Sequence, residues 1–73
     1  MKEYRCWRAD KEGRLYGSIV VAVDDAKQAT GHAYMNDYEV ERLYAVDRYL
    51  VYAYDSATGE DGEHIEDVML LSM

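Results

Sequence analysis

The stretch Leu15-Tyr-Gly-Ser-Ile-Val-Val-Ala-Val23 decides the predicted fold of this 73-residue chain. It is rich in β-branched residues, which pack well on a pleated surface and therefore favour a strand. Every residue from Ile19 to Val23 is apolar, so both faces of the strand are expected to be covered. The pattern predicts a second strand over residues 15–23 that lies centrally in its sheet.

The segment before this stretch is predicted to be its hairpin partner. Residues 3–9 alternate, with Tyr4 and Cys6 on one face and Arg5 and Trp7 on the other, which is the period of a strand. Asp10-Lys-Glu-Gly13 follows as a polar turn whose glycine tolerates a positive φ.

The segment after residue 23 is predicted to be a helix that ends near Asn36-Asp37. Asp24 or Asp25 can cap it, because a short carboxylate accepts hydrogen bonds from the unpaired amides of a first helical turn. Small residues then recur at helical spacing, and such a stripe lets a helix lie close to a sheet. The stripe consists of Ala26, Ala29, Thr30, Ala33 and Tyr34.

Residues 38–55 allow two interpretations. Asn36-x-x-Glu39 resembles a capping box, and Val40, Leu43 and Tyr44 fit a second helix over residues 37–48. The aromatic and β-branched content of Tyr49-Leu-Val-Tyr-Ala-Tyr54 is instead typical of a strand. We favour strands at about 39–46 and 49–55.

The end of the chain completes a small α+β domain. Residues 56–62 are glycine-rich and polar and predict a loop, while residues 64–71 fit a last strand better than a helical turn. The predicted fold is a single domain over residues 1–73 with the order ββαββ(β). It has two layers, an antiparallel sheet of four or five strands and one helix on a face.

Charge is divided unevenly along the chain. Residues 1–23 carry five basic and three acidic residues, a net of +2, whereas residues 24–73 carry three basic and twelve acidic residues, a net of −9. The total of −7 repels itself in so small a chain, so its retention suggests that a negative surface is useful. A basic partner is therefore expected, and direct binding of a nucleic acid is not.

Several functional classes are not expected from the sequence. The longest apolar run, Ile19–Val23, is far below the ~20 residues of a membrane span, and the N-terminus lacks an apolar stretch of signal-peptide length. A cytoplasmic location is expected, and a single cysteine, which cannot form an internal disulfide, fits that reducing compartment. Cys6 itself is expected to be a small buried hydrophobe.

No enzyme, cofactor or metal site is predicted either. An EF-hand loop that began at Asp55 would match only at its two ends, Asp55 and Glu66. Cys6 and two distant histidines do not supply the ligand spacing of a zinc site. His64-x-x-Asp67 could join a general-base pair on a helical turn, but no nucleophile is placed to complete it.

The predicted binding surface combines carboxylates with tyrosines, which often anchor interfaces. A single strand with carboxylates about 6.6–6.8 Å apart is too sparse to reproduce the phosphates of duplex DNA, so several rows have to combine. Arg42 and Arg48 interrupt this surface. The predicted partner-binding residues are Asp37, Glu39, Glu41, Asp47, Asp55, Glu60, Asp61 and Glu63, with Tyr44, Tyr52 and Tyr54 as anchors.

In whole-chain character the protein resembles the small phage-encoded inhibitors of bacterial defence, including anti-CRISPR proteins. The shared features are a short, strongly acidic, tyrosine-rich chain without proline, disulfide or catalytic motif. Several of those inhibitors imitate DNA, so the resemblance implies a binding protein that blocks a basic nucleic-acid channel. The alternative is a structural or regulatory homodimer, in which basic N-terminal strands meet the acidic surface of another copy.

Overall fold

Four antiparallel strands form one sheet, and one α-helix packs on a face of it. The computed structural model describes the backbone of residues 1–72 and the side chains of residues 1–36 and 44–71. The predicted ββαββ domain is confirmed, with four strands in the spatial order β2-β1-β3-β4. The elements are β1 (Lys2–Ala9), β2 (Leu15–Val23), α1 (Ala26–Tyr44), β3 (Arg48–Asp55), β4 (Glu60–Met69) and a 3₁₀ turn (Leu70–Ser72).

The core lies between α1 and the central strands β1 and β3. Four members of the small-residue stripe of α1 are buried as predicted, and the alanines among them leave room for tyrosine rings between the two layers. The fifth member, Tyr34, was predicted to join them but is 40% exposed. Cys6 is fully buried there, as expected for a small hydrophobe. Half-buried valines and an isoleucine from the outer strands, together with Leu70 of the 3₁₀ turn, pack against this core. Its buried members are Tyr4, Cys6, Ala26, Ala29, Ala33, Tyr49 and Val51.

The start of α1 is capped as the sequence predicts. Asp25 Oδ1 accepts a hydrogen bond from the backbone N–H of Gln28 at 2.9 Å. Gln28 Oε1 in turn accepts one from the backbone N–H of Asp24 at 3.1 Å. The bond to Asp25 satisfies an amide group that the first helical turn leaves unpaired, and the bond to Gln28 satisfies the amide of the residue before the cap.

The predicted helix end at Asn36-Asp37 and the predicted strand at 39–46 are wrong. The helix continues to Tyr44 and stops where Ala45 adopts a left-handed φ of 56°. Residues 39–43 are Glu-Val-Glu-Arg-Leu, and glutamate, arginine and leucine are all good helix formers. Among the described residues, no helix has both the length and the apolar character that crossing a bilayer requires.

The predicted central position of β2 is also wrong, because β2 lies at an edge of the sheet. β3 pairs with β1 instead of β2 and takes the central place beside it. Ile19 and Val21 face the helix layer, but Val20 on the other face is 37% exposed. An apolar run shows that a strand has apolar side chains on both faces. It does not determine which strands lie beside it, because strand order depends on pairing between distant segments.

The turn between β3 and β4 is shorter than the predicted loop at 56–62. Asp55 Oδ1 accepts a hydrogen bond from the backbone N–H of Ala57 at 2.9 Å, and the Asp55 carbonyl accepts one from Gly59 at 2.8 Å. Gly59 takes a φ of 73°, which a residue with a Cβ adopts only with strain. β4 therefore begins at Glu60, and the predicted strand at 64–71 extends only to Met69.

The turn between β1 and β2 is organised by Asp10, which is only 9% exposed. Its Oδ1 accepts hydrogen bonds from the backbone N–H groups of Glu12 and Arg14, both at 2.9 Å, and its Oδ2 accepts one from the Tyr16 hydroxyl at 2.8 Å. The bond from Tyr16 is the main cause that lowers the pKa of Asp10, and the same bond raises the pKa of Tyr16.

Candidate interaction surface on the open sheet face and the β4 edge

The face of the sheet opposite α1 carries aromatic and charged side chains. Antiparallel pairing places Arg5 beside Tyr52 and Trp7 beside Leu50, while their neighbours Tyr4 and Cys6 face the core. Because side chains alternate along a strand, the open face collects every second residue of β1 and β3. The half-buried residues Trp7, Tyr52 and Tyr54 supply its aromatic surface.

Asp61 is the central acceptor on this open face. Its Oδ1 accepts a hydrogen bond from Arg5 Nε at 3.0 Å, and its Oδ2 accepts one from Trp7 Nε1 at 2.8 Å. The Arg5 guanidinium also donates to Ser18 Oγ at 2.8 Å and lies 4.8 Å from the centre of the Tyr54 ring. These contacts hold Trp7 and Tyr54 in place and neutralise one of the predicted partner-binding carboxylates within the domain.

A second cluster on the open face contains His64, Asp67 and Tyr52. His64 Nε2 and Asp67 Oδ1 are 2.7 Å apart, and the rings of His64 and Tyr52 have centroids 5.1 Å apart. The predicted pair His64-x-x-Asp67 therefore exists, but it lies on a strand and not on a helical turn. Residues three apart point to opposite faces of a regular strand, so the irregular β3–β4 register near Tyr52 allows them to meet.

The outer edge of the sheet on the β4 side is acidic. Every residue from Glu60 to Asp67 is exposed, and β4 contains five carboxylates but neither lysine nor arginine. Asp61 and Asp67 have the partners described above, whereas the other three carboxylates make no ion pair within the described part of the chain. We call these three residues, Glu60, Glu63 and Glu66, the acidic edge.

The carboxylates of the acidic edge are widely spaced. They recur every third residue, which corresponds to about 10 Å along a strand. Glu66 pairs in register with the core residue Val51 and lines an open groove of about 490 Å³ between β4 and α1, across which Lys27 lies. The edge is therefore a line of separate negative charges and not a flat, dense row.

The remaining predicted residues lie apart from this edge or serve the fold. Asp47 forms an ion pair with Arg48 at 2.8 Å, and the hydrogen bond from Arg48 lowers the pKa of Asp47. Tyr44 stacks on Tyr16, with ring centroids 5.2 Å apart, at the end of α1. The side chains of Asp37, Glu39 and Glu41 lie outside the described residues, although their backbone belongs to α1.

The structure thus brings together six of the predicted residues on and beside the β3–β4 hairpin. The sequence prediction missed Arg5, Trp7, His64 and Glu66 at the same place. The alternation of β1 already placed Arg5 and Trp7 on one face, but their contact with β4 depends on the pairing of strands distant in sequence. The six residues are Tyr52, Tyr54, Asp55, Glu60, Asp61 and Glu63.

The described side chains include no group of three or more histidine, cysteine, aspartate or glutamate residues that could hold a metal ion. Comparison of the chain with protein-family models, with curated proteins and with solved structures finds no match.

Proposed function

We propose that this protein is an acidic binding protein that inhibits a nucleic-acid-binding bacterial defence complex by occupying its basic DNA-binding surface. The observation that carries this proposal is the β4 edge, where five exposed carboxylates occur in ten residues without a lysine or arginine between them. The choice of target class rests on the resemblance to small phage-encoded inhibitors, including anti-CRISPR proteins.

Electrostatic attraction brings the two proteins together. The acidic edge keeps its charge available, because Glu60, Glu63 and Glu66 make no ion pair in the part of the chain that the structure describes. Complementary charge of this kind raises association rates and selects partners. Because salt screens charges beyond ~8 Å at physiological ionic strength, each carboxylate attracts mainly the lysine and arginine side chains within that distance.

Aromatic side chains supply the anchoring contacts beside the charges. Tyr52 and Tyr54 are half-buried on the open face next to β4, and the contact with Arg5 holds the Tyr54 ring in place. Ordered aromatic residues at the centre of an interface contribute most of the binding energy in many complexes. The open face therefore provides the affinity, and the acidic edge provides the direction of approach.

Binding takes place through separate contacts and not through a copy of the DNA backbone. Each strand of a duplex carries one charge per 3.4 Å of helix axis, whereas the carboxylates of the acidic edge are about 10 Å apart. The edge matches individual lysine and arginine side chains on a basic surface. Inhibition then follows from competition, since the bound protein covers part of the path of the nucleic acid.

The test is a DNA-cleavage assay with a purified CRISPR effector that carries its guide RNA. Glu60→Lys/Glu63→Lys should abolish inhibition, because it reverses two charges of the acidic edge. The matched control is Glu3→Lys/Glu12→Lys, which changes the net charge by the same amount at β1 and the following turn. Each reversal adds two charges, so both variants carry −3 instead of −7.

Only one pattern of results supports the proposal. The wild type and the control inhibit cleavage, the acidic-edge variant does not, and inhibition weakens as salt rises. Equal loss of inhibition in both double variants would show that only net charge matters. Failure of the wild type to inhibit any of a panel of defence effectors would reject the proposed function.

A further inference from the structure

Strand β2 has the composition of a central strand but lies at an edge. Its nine residues include no charged residue and no proline, and four of the last five are β-branched. In the described part of the chain it pairs only with β1, so its outer backbone groups have no strand beside them. Exposed edges of this kind are templates for pairing with another strand.

The opposite edge is protected in the usual way. β4 carries five carboxylates and two irregularities in its register with β3, and both features discourage another strand from joining. β2 has one bulge near its start, but from Ser18 to Val23 it is regular and uncharged. β2 therefore lacks the features that keep another strand from pairing with an edge, and we expect a strand to pair with it.

We propose that β2 pairs antiparallel with β2 of a second copy of this chain, which joins the two sheets into one of eight strands. The occupant is identified by the charges at the two ends of the strand. Arg14 lies immediately before β2, and Asp24 and Asp25 follow it, all of them exposed. Antiparallel pairing places Arg14 beside the two aspartates of the partner subunit, whereas parallel pairing would place like charges together.

The side chains of β2 also complement themselves. Residues that pair across strands share a face. A two-fold axis midway between the Val20 residues of the two copies therefore places Ile19 opposite Val21 of the partner subunit on the helix side. Val20 then meets Val20 of the partner subunit on the open face, where it is 37% exposed in the monomer. The axis is perpendicular to the sheet, so both α1 helices lie on one side and the cores become continuous.

A symmetric dimer also separates the negative charge. The β4 edges become the two outer strands of the eight-stranded sheet, seven strand spacings or about 34 Å apart. That distance exceeds the screening length of ~8 Å at physiological salt. A contact between β2 of one copy and β4 of the next would instead leave a free edge at each end, so that further copies could add to an open-ended assembly. In the two-fold arrangement the two uncharged edges cover each other, and both acidic edges remain at the outside of the sheet.

Sedimentation equilibrium of the full chain tests this proposal. The wild type should form a species of twice the 8.4 kDa chain mass. Val20→Lys should shift it to the monomer, because a lysine on each copy would meet at the two-fold axis. The matched control is Ile65→Lys on β4, where the isoleucine is 41% exposed, and it should leave the dimer intact. Circular dichroism verifies that both variants fold.

A charge exchange tests the direction of pairing. Arg14→Glu alone and Asp24→Lys alone should each weaken the dimer about tenfold, since two symmetric pairs become repulsive. The combined variant should recover most of the lost affinity, because the attraction is restored with its signs reversed. None of these substitutions touches the acidic edge, so the DNA-cleavage assay of the proposed function remains a separate measurement.

Three results would overturn the proposal. The first is a wild-type monomer at a concentration of about 1 mM, where even weak association is detectable. The second is a dimer that Val20→Lys and Ile65→Lys affect equally. The third is a combined charge variant that is weaker than both single variants.

Discussion

Asp10 and Asp61 show how differently two aspartates of one small chain can be used. Asp10 accepts all its hydrogen bonds from the turn that contains it, from residues at most six positions away. Asp61 accepts from Arg5, which is 56 positions away in the sequence. The turn around Asp10 was predictable from local chemistry, whereas the role of Asp61 depends on β1 and β4 flanking β3 in the sheet.

The pH dependence of stability should reveal the role of Asp10. Its pKa lies below the ordinary value of 3.8 in the folded protein, because the Tyr16 hydroxyl and neighbouring amides favour the carboxylate. The stabilisation is therefore complete above about pH 4 and is lost as pH falls through the folded pKa. Asp10→Asn should be less stable than the wild type at pH 7, and the difference should shrink towards pH 2.

Urea unfolding at pH values from 7 to 2 measures this effect. Glu3→Gln is the control, since the carboxylate of Glu3 accepts no hydrogen bond in the described part of the chain. Its unfolding midpoint should follow that of the wild type across the range. A constant gap between Asp10→Asn and the wild type at every pH would contradict a role for the charge.

At the scale of elements, α1 shows both the success and the limit of local patterns. Its aspartate cap and the small residues of its stripe are set by residues within one or two turns, and both were predicted correctly, whereas Tyr34 was wrongly included in the stripe. Its end was not, because the capping-box pattern at Asn36 suggested that a second helix starts there. The structure shows one continuous helix through Asn36 and up to Tyr44.

The close approach of α1 to the sheet predicts the cost of a larger side chain. Ala29 is fully buried against the sheet, so Ala29→Leu should lower the free energy of unfolding by about 1–3 kcal/mol through overpacking. His32→Leu also introduces a leucine, at an exposed position of the same helix, and should cost less. Urea unfolding of the two variants compares them. Equal destabilisation would mean that helix propensity, and not the contact with the sheet, decides the effect.

At the scale of the whole molecule, the fold separates the charges of the sequence. The net −9 of residues 24–73 includes the five carboxylates of the outer strand β4, and β2 at the opposite edge has no charge. Part of the positive charge of β1 is neutralised where Arg5 meets Asp61. The domain therefore has one acidic edge and one edge without charged side chains.

The acidic edge should reduce stability, because its like charges repel one another in the folded state. Glu60→Gln/Glu63→Gln should raise the melting temperature at about 0.01 M salt, and about 1 M salt should remove most of the gain. Scanning calorimetry at one protein concentration measures both. The control Glu3→Gln/Glu12→Gln removes the same charge near basic residues and should give a smaller gain. An equal gain would assign the effect to net charge alone.

By itself the sequence determined the features that depend on residues close to one another along the chain. They include the strands β1, β2 and β3, the cap and inner face of α1, the turn at Asp10 and the location of the acidic charge. The tertiary structure decided which strand lies at the edge, where α1 ends, and which carboxylates remain unpaired. The reason is physical: hydrogen-bond caps and side-chain periodicity act over a few residues, whereas strand order depends on segments 39 to 49 residues apart and the contact of Arg5 with Asp61 on residues 56 apart.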